Sequence, residues 1–387
     1  MRLLAVHQGG GLGGAPVSLL KLLSKLELES SVVFTEAGPL IEFARELNVT
    51  ASVVPTGGAL YYSAHARLGV RGIARFVRTF PAAVRRARQE LRARRPDVVH
   101  LNTSVLLAWA AAARRERVPV VWVVREVLGA RWQARFIQRH ATRLVVVSNA
   151  VRKCFPTEAD VRVIYNAVDL AEFAPHDGAA ARAELGLEPS ERVLMVLGSV
   201  QRAKGHWLML EAVTQMNTRP RLVLVTGGVD ADYAPSTRGR LKRLLRQPLD
   251  NLDALRRDAR AKGLEQQIVM TGWRRDIPRV LAAADVVVFP SIAPEGFGRP
   301  IIEAMAMARP VVATDIGPSR ELLGSEAGAL VPPEPGALAD AIDSLLGDPE
   351  RREQMGQAGR ARAEALFGIE RQVMAMSAIY REAAGSA

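Results

Sequence analysis

Short apolar runs rich in valine and leucine alternate with amphipathic stretches along nearly the whole chain, and this alternation restricts the fold more than any other feature. In the first half the β-rich runs are 2–7, 31–35, 51–54, "DVVHLN" at 97–102, "PVVWVV" at 119–124, "RLVVVS" at 143–148 and "VRVIY" at 161–165. Helical patterns fill the gaps at 16–26, 39–47, 82–94, 104–113, 130–140 and 149–155. The runs are apolar throughout, as strands are when helices cover both faces of a parallel sheet. From Asn166 to about Glu191 the pattern lapses; it restarts with runs at 192–199, 221–228, 267–273, 286–291, 310–317 and 328–333. The expected fold is α/β: two doubly wound Rossmann-like domains facing across a cleft, with ligands at the carboxyl ends of the strands. The expected boundaries are a first domain over 1–166, a linker over 167–190 and a second domain over 191–366.

Composition narrows the function classes. No apolar run approaches the ~18–20 residues of a membrane span; the longest, 105–113, stops at Arg114 and Arg115. The single cysteine, Cys154, excludes an internal disulfide and suits a reducing compartment. A cytoplasmic protein is the expectation, with peripheral attachment to the inner face of the cell membrane left open. The net charge of +12 is uneven, since residues 1–190 hold 26 Lys and Arg against 16 Asp and Glu. Ten arginines and one acid, Glu90, lie between Arg67 and Arg95. There Val84, Ala87 and Leu91 form an apolar stripe beside Arg85, Arg88, Arg92 and Arg95; Ile73, Phe76, Val77 and Phe80 form another upstream, broken by Pro81. Two readings stand side by side: a solvated helix face, or a surface that docks on anionic lipid. Nucleic acid is not an expected partner, because the arginines lack interleaved aromatics.

Two motifs carry chemistry. "VHQGGGLGGAPVSLLKLL", from Val6 to Leu23, fits G-x-G-x-x-G through Gly9, Gly11 and Gly14, and Glu36 ends the next strand. Taken alone, that is the fingerprint of an NAD-dependent dehydrogenase. The second motif, "FPSIAPEGFGRPIIEAMA" at 289–306, places Glu295 on a loop and Glu303 in the first turns of a helix. Both carboxylates can then face one crevice, while Gly296 and Gly298 permit close backbone approach and the helix start offers N–H groups to an anion. That combination describes a nucleotide-sugar pocket; the plainer alternative is a charge at a helix start and a solvated Glu295.

The surroundings of Glu295 and Glu303 resemble the retaining GT-B glycosyltransferases of family 4. "VLGSVQRAKGHWLMLEA", "VIYNAVDLAEFAP", "TGWRRDIPRVLAAADVVVFPS", "RPVVATDIGPSRELL" and "GALVPPEPGALADAIDSLL" are all similar to that family's motifs, in order. The resemblance implies that Glu303 holds the nucleotide ribose, while Glu295 and the backbone of Gly296, Phe297 and Gly298 hold the donor sugar. It implies that Lys204 neutralises the diphosphate leaving group, that Trp273 and Arg274 seat the base, and that Gly13 and Gly14 reach the diphosphate or the acceptor. It also implies a closing helix, about 367–383, that crosses back onto the first domain. The NAD reading leaves 192–346 without a purpose.

Two departures stand out. Ser199 occupies a position where the family usually has arginine, and Arg202 is the candidate to replace that charge. Arg125 and Glu126 stand where the family often has histidine, with His100 as a candidate to take over its role. The expected activity is a metal-independent, retaining hexosyl transfer without a cofactor, from a nucleoside-diphosphate sugar to a carbohydrate or lipid-linked acceptor. UDP-hexose is favoured over GDP-mannose as donor. A nucleotide-sugar epimerase and a non-catalytic sugar-nucleotide binder are the alternatives. Asp230 and Asp232 form a D-x-D, read as a solvated loop rather than a metal site.

Overall fold

A computed structural model describes residues 1–56, 70–226 and 251–386, and the chain separates into two compact units. The first comprises Met1–Ala167 and Gly368–Ala387, the second Val168–Phe367.

In the first unit the order is β1 (Arg2–His7), α1 (Gly14–Ser24), β2 (Glu29–Phe34), α2 (Leu40–Glu46), β3 (Thr50–Val53), α3 (Val70–Arg94) and β4 (Val98–Leu101). There follow α4 (Leu107–Glu116), β5 (Val120–Val124), α5 (Arg131–His140), β6 (Arg143–Val146), α6 (Asn149–Arg152) and β7 (Val161–Val163). The strands form one seven-stranded sheet in the order β3-β2-β1-β4-β5-β6-β7, every pair parallel. β4 and β5 are buried along their whole length, as their unbroken apolar sequence requires. The chain reverses direction across the sheet between β1 and β4, so the loops leaving those strands part and open a crevice.

The second unit runs α7 (Ala179–Glu184), β8 (Val193–Leu197), α8 (His206–Gln215), β9 (Arg221–Val225), α9 (Asn251–Ala261), β10 (Ile268–Met270), α10 (Ile277–Ala282) and β11 (Val286–Phe289). It ends with α11 (Arg299–Ala306), β12 (Val311–Thr314), α12 (Ser319–Leu323), β13 (Ala329–Val331), α13 (Pro335–Gly347) and α14 (Pro349–Leu366). The last helix, α15 (Ile369–Ala384), belongs to the first unit. The six-stranded sheet has the order β10-β9-β8-β11-β12-β13, again parallel throughout. Its reversal lies between β8 and β11. Leu194, Val196, Leu210, Leu224, Val288 and Ile342 are among the residues of one continuous core beneath it.

Two local expectations change. Of the stretch 167–190, read as a linker, Ala167 falls in the first unit and 168–190 in the second. Arg182 of α7 donates to Asp285 at 3.0 Å and to the carbonyl of Ala283 at 3.1 Å, and a Cβ on Gly178 would lie 2.1 Å from the Ala282 carbonyl oxygen. Val168, Phe173, Ala181 and Leu187 are buried there as well, too widely spaced to give a strand or helix pattern in the sequence. Pro81 does not break the helix before 82; α3 runs through it. Proline there removes one backbone hydrogen bond at a cost of about 3 kcal/mol. Burial of Ala83, Val84, Ala87 and Leu91 in a helix face packed on α4 offsets that cost.

Candidate functional site

In the second unit the loops leaving β8 and β11 meet at the reversal point. β8 leads to Gly198 in the left-handed region at φ 135°, then to a single 3-10 turn, Arg202–Lys204. Gly205 follows at φ 74°, where a Cβ would lie 1.7 Å from the carbonyl oxygen of Pro290. Only glycine lets this turn sit against the loop after β11. Two bonds lock the approach: the N–H of Ile292 donates to the Ala203 carbonyl at 2.9 Å, and the Ser291 hydroxyl reaches the same oxygen at 3.2 Å.

This docking brings Lys204 to Glu295. Lys204 Nζ donates to Glu295 Oε2 at 2.5 Å, and Ser291 Oγ donates to Glu295 Oε1 at 2.6 Å. The lysine side chain is one-third exposed, so an arriving anion can reach it. Behind Glu295, a Cβ on Gly317 would lie 3.0 Å from the Glu295 backbone nitrogen, so the loop after β12 supports the same residue. Ser291 and Gly317 are not singled out by motif spacing, because their part is to hold Glu295 rather than to carry charge.

Glu303 lies on α11, 7% exposed, and its Oε1 accepts from Arg299 Nη2 at 2.6 Å and Nε at 3.0 Å. Gly298, at φ 98°, starts that helix. The Phe297 ring packs edge-on against Phe367 at 6.3 Å, so only its backbone, with that of Gly296, is available to a ligand. Ser199 Oγ accepts from Gln201 Nε2 at 3.1 Å. Arg202 does not join Lys204 on Glu295: its guanidinium lies 4.4 Å over the ring of Trp207, whose Nε1 donates to Asp258 at 2.7 Å.

Arg274 is held between two carboxylates. It pairs with Asp276 at 2.5 Å and Glu184 at 2.8 Å, and the hydrogen bond it donates to Asp276, followed by that to Glu184, holds it more firmly protonated than usual. Its guanidinium ties α7 to the turn before α10. Trp273 beside it is half exposed. His206, absent from the sequence reading, begins α8 in full burial, which pushes its imidazole down to about 4. Asp230 and Asp232 lie outside the described residues.

In the first unit the reversal point holds the glycine loop. Gly9, at φ 87°, donates its N–H to Thr35 Oγ1 at 2.9 Å. A Cβ on Gly10 would lie 2.5 Å from the Ala37 carbonyl oxygen, so this glycine lets the loops after β1 and β2 touch. Gly13 caps α1 in ordinary extended backbone, and a Cβ there would meet only Pro16 Cδ at 3.9 Å. The fold itself has no need of a glycine at 13. Gly14 opens the helix.

Beside this loop runs a chain of buried polar groups. Arg125 Nε reaches the Asn102 side chain at 2.7 Å. A guanidinium only donates, so the Asn102 atom it meets is the carbonyl oxygen. His100 Nε2 faces the same oxygen at 3.2 Å and therefore carries its proton there, leaving Nδ1 to accept from the Tyr380 hydroxyl at 2.6 Å. The Asn102 amide nitrogen then donates to His7 Nδ1 at 3.0 Å and to the Ala15 carbonyl at 3.3 Å. Arg125 also donates to the side-chain oxygen of Asn166. Burial, reinforced by the Arg125 charge, pushes both His7 and His100 down to about 3, and burial pushes the Tyr380 hydroxyl well above its usual range. His100 thus has no surface to offer a ligand and supports its neighbours instead. Glu126 is half-buried and accepts from the backbone N–H of Ser104 at 2.9 Å and from its hydroxyl.

Comparison with known proteins decides the family. The profile described as "Glycosyltransferase Family 4" matches residues 10–172, and "Glycosyl transferases group 1" matches 178–362. The chain belongs to the GT-B group 1 glycosyltransferases. A D-inositol 3-phosphate glycosyltransferase of Segniliparus rotundus is 35% identical over 230 residues, 58% of this chain and 47% of the relative. The chain thus spans about half the length of that relative. An alpha-D-kanosaminyltransferase of Streptomyces kanamyceticus is 29% identical over 74% of this chain and 70% of its own. Among solved structures, Anabaena HepE in complex with UDP and glucose superposes with a TM-score of 0.80 at 23% identity, over 98% of this chain and 99% of that one. In this GT-B chain, no helix among the described residues is long and apolar enough to cross a membrane.

Proposed function

We propose that this chain transfers a hexosyl group from a nucleoside-diphosphate sugar, UDP-glucose favoured over GDP-mannose, to a carbohydrate or lipid-linked acceptor with retention of configuration. The observation that carries the reading is Lys204 paired to Glu295 at 2.5 Å on the switch point of the sheet matched by the group 1 profile. As the glycosidic bond breaks, negative charge collects on the diphosphate, and a cation already held at the site stabilises it without reorganisation. Lys204 is the group for that task. Glu295, kept in place by Ser291 when Lys204 turns to phosphate, is left to accept from sugar hydroxyls. Glu303 accepts from the ribose, and the backbone of Gly296 and Gly298 approaches the sugar. Gly13 and Gly14 serve the diphosphate or the acceptor. The UDP and glucose bound to HepE support uridine as the base.

No metal is assigned a step. The acceptor is brought by a membrane surface in this reading, since α3 leaves Ile73 and Val77 exposed on one face, with exposed Arg75 and Arg78 beside them. Arg88 and Arg92 take a lesser part, because both bind Glu116 of α4. Calorimetry with UDP, GDP, UDP-glucose and GDP-mannose, with hydrolysis of each sugar nucleotide, tests the proposal. Tight UDP binding with slow UDP-glucose hydrolysis is the expected result. Binding of none of the four overturns it.

A further inference from the structure

Asn102 is fully buried at the C-terminal end of β4, on the reversal point of the first sheet. An asparagine amide has two N–H donors and two acceptor lone pairs. All four are used here: the oxygen by His100 and Arg125, the nitrogen by His7 and the Ala15 carbonyl. Each partner stands on a different piece of chain. Ala15 is in the first turn of α1, next to the glycine loop; His7 ends β1; Arg125 follows β5; and His100 passes the connection on to Tyr380 of α15. A single amide therefore fixes the start of α1 and the Arg125 guanidinium against the same point. Its orientation is determined, because the arginine can meet only the oxygen.

We infer that Asn102 is a positioning residue of the transfer reaction, setting the glycine loop and Arg125 together at the reversal point of the first sheet. This rests on the function proposed above. A buried amide with all four bonds made has one position, and a misplacement of about 1 Å at a reacting centre costs on the order of 100-fold in rate. The plain structural alternative is that Asn102 only fills the core.

Asn102→Asp separates the two, because it keeps the shape and replaces the donating nitrogen with an accepting oxygen. The aspartate holds Arg125 and His100 as before. Its new oxygen faces the lone pair of His7 Nδ1 and the Ala15 carbonyl, so His7 must move its proton to Nδ1 and the contact with α1 is lost. Nitrogen-15 spectra of histidine-labelled protein should show His7 and His100 as Nε2–H tautomers in the wild type. In Asn102→Asp, His7 should become the Nδ1–H tautomer. The variant should bind UDP within about twofold of wild type while UDP-glucose hydrolysis falls ~10- to 100-fold in kcat. Asn102→Gln, which keeps a donating nitrogen on a longer stem, should recover part of that loss. Wild-type hydrolysis in Asn102→Asp, or equal losses of UDP affinity and kcat, would overturn the inference. So would a His7 tautomer that the substitution leaves unchanged. Failure of the proposed function looks different: the wild type itself would not bind UDP.

Discussion

The two sheets reverse direction in the same way and hold opposite kinds of chemistry at the reversal. In the second unit the point is charged and open to solvent, an ion pair between Lys204 and Glu295 with one neutral anchor, Ser291. In the first it is buried and almost wholly neutral, with Asn102, His7, His100 and Tyr380 around a single arginine. A part-exposed pair is worth little to stability and can be opened by a ligand at small cost. A buried amide network loses much if any member is left unpaired, so it keeps one arrangement. The ion pair can exchange partners at little cost, and the buried network cannot.

The contrast should break most visibly at glycines. Gly205→Ala puts a Cβ into the Pro290 carbonyl at a left-handed φ, and should cost on the order of 3 kcal/mol or more in urea unfolding. Gly13→Ala should unfold like the wild type and lose activity, since only a ligand needs that space. Equal stability of the two variants would contradict the account of the loops.

Lys204→Ala should lower kcat for UDP-glucose hydrolysis ~10- to 150-fold, the loss expected from one charge-assisted hydrogen bond, with a smaller rise in KM. An unchanged kcat removes Lys204 from the reaction. For the basic helix, glutamines at Arg75 and Arg78 should weaken adsorption to phosphatidylserine vesicles at low salt by roughly 30-fold, at about 1 kcal/mol per arginine. Glutamines at Arg88 and Arg92 should weaken it less. A wild type that ignores such vesicles makes the acceptor a soluble one.

Acid should find the first unit before the second. His7 and His100 sit near 3 and His206 near 4 in the folded protein, against about 6.5 for an unfolded histidine. Between those values the unfolded chain binds more protons, so stability falls as pH drops through 6.5 and levels off only below the folded values. Each of the three should cost about 2 kcal/mol at pH 5 relative to neutral pH, read from urea midpoints. His100→Gln should flatten part of that slope, and a pH-independent midpoint would deny that the imidazoles are neutral and buried. The smallest effect expected is that of EDTA, which should leave UDP-glucose turnover unchanged. A strict divalent requirement would reopen the Asp230–Asp232 pair.

Fold class was legible because buried parallel strands leave an unmistakable apolar signature, as in "PVVWVV". Glu295 and Glu303 stand out in the sequence by their spacing beside glycines, and Lys204 through the resemblance to family 4; the structure sets Lys204 against Glu295. Ser291, Asn102 and Tyr380 were not, since their meaning lies in contacts made across the fold: Tyr380 meets a histidine 280 residues away. His100 and Arg274 stand out in the sequence by their neighbours, while a partner of each lies elsewhere in the fold. The partners are Tyr380 and Asn102 for the histidine, and Asp276 and Glu184 for the arginine.

Tyr380 closes the buried chain of the first unit, yet it is made after the whole of the second. At about 5–20 residues per second, His100 waits on the order of tens of seconds for the hydroxyl that satisfies it. Val168–Phe367 can collapse on its own in that interval, whereas the earlier-made sheet must hold an unfinished polar interior until α15 arrives. During synthesis, then, every residue of the second unit is made before the first unit has its last helix.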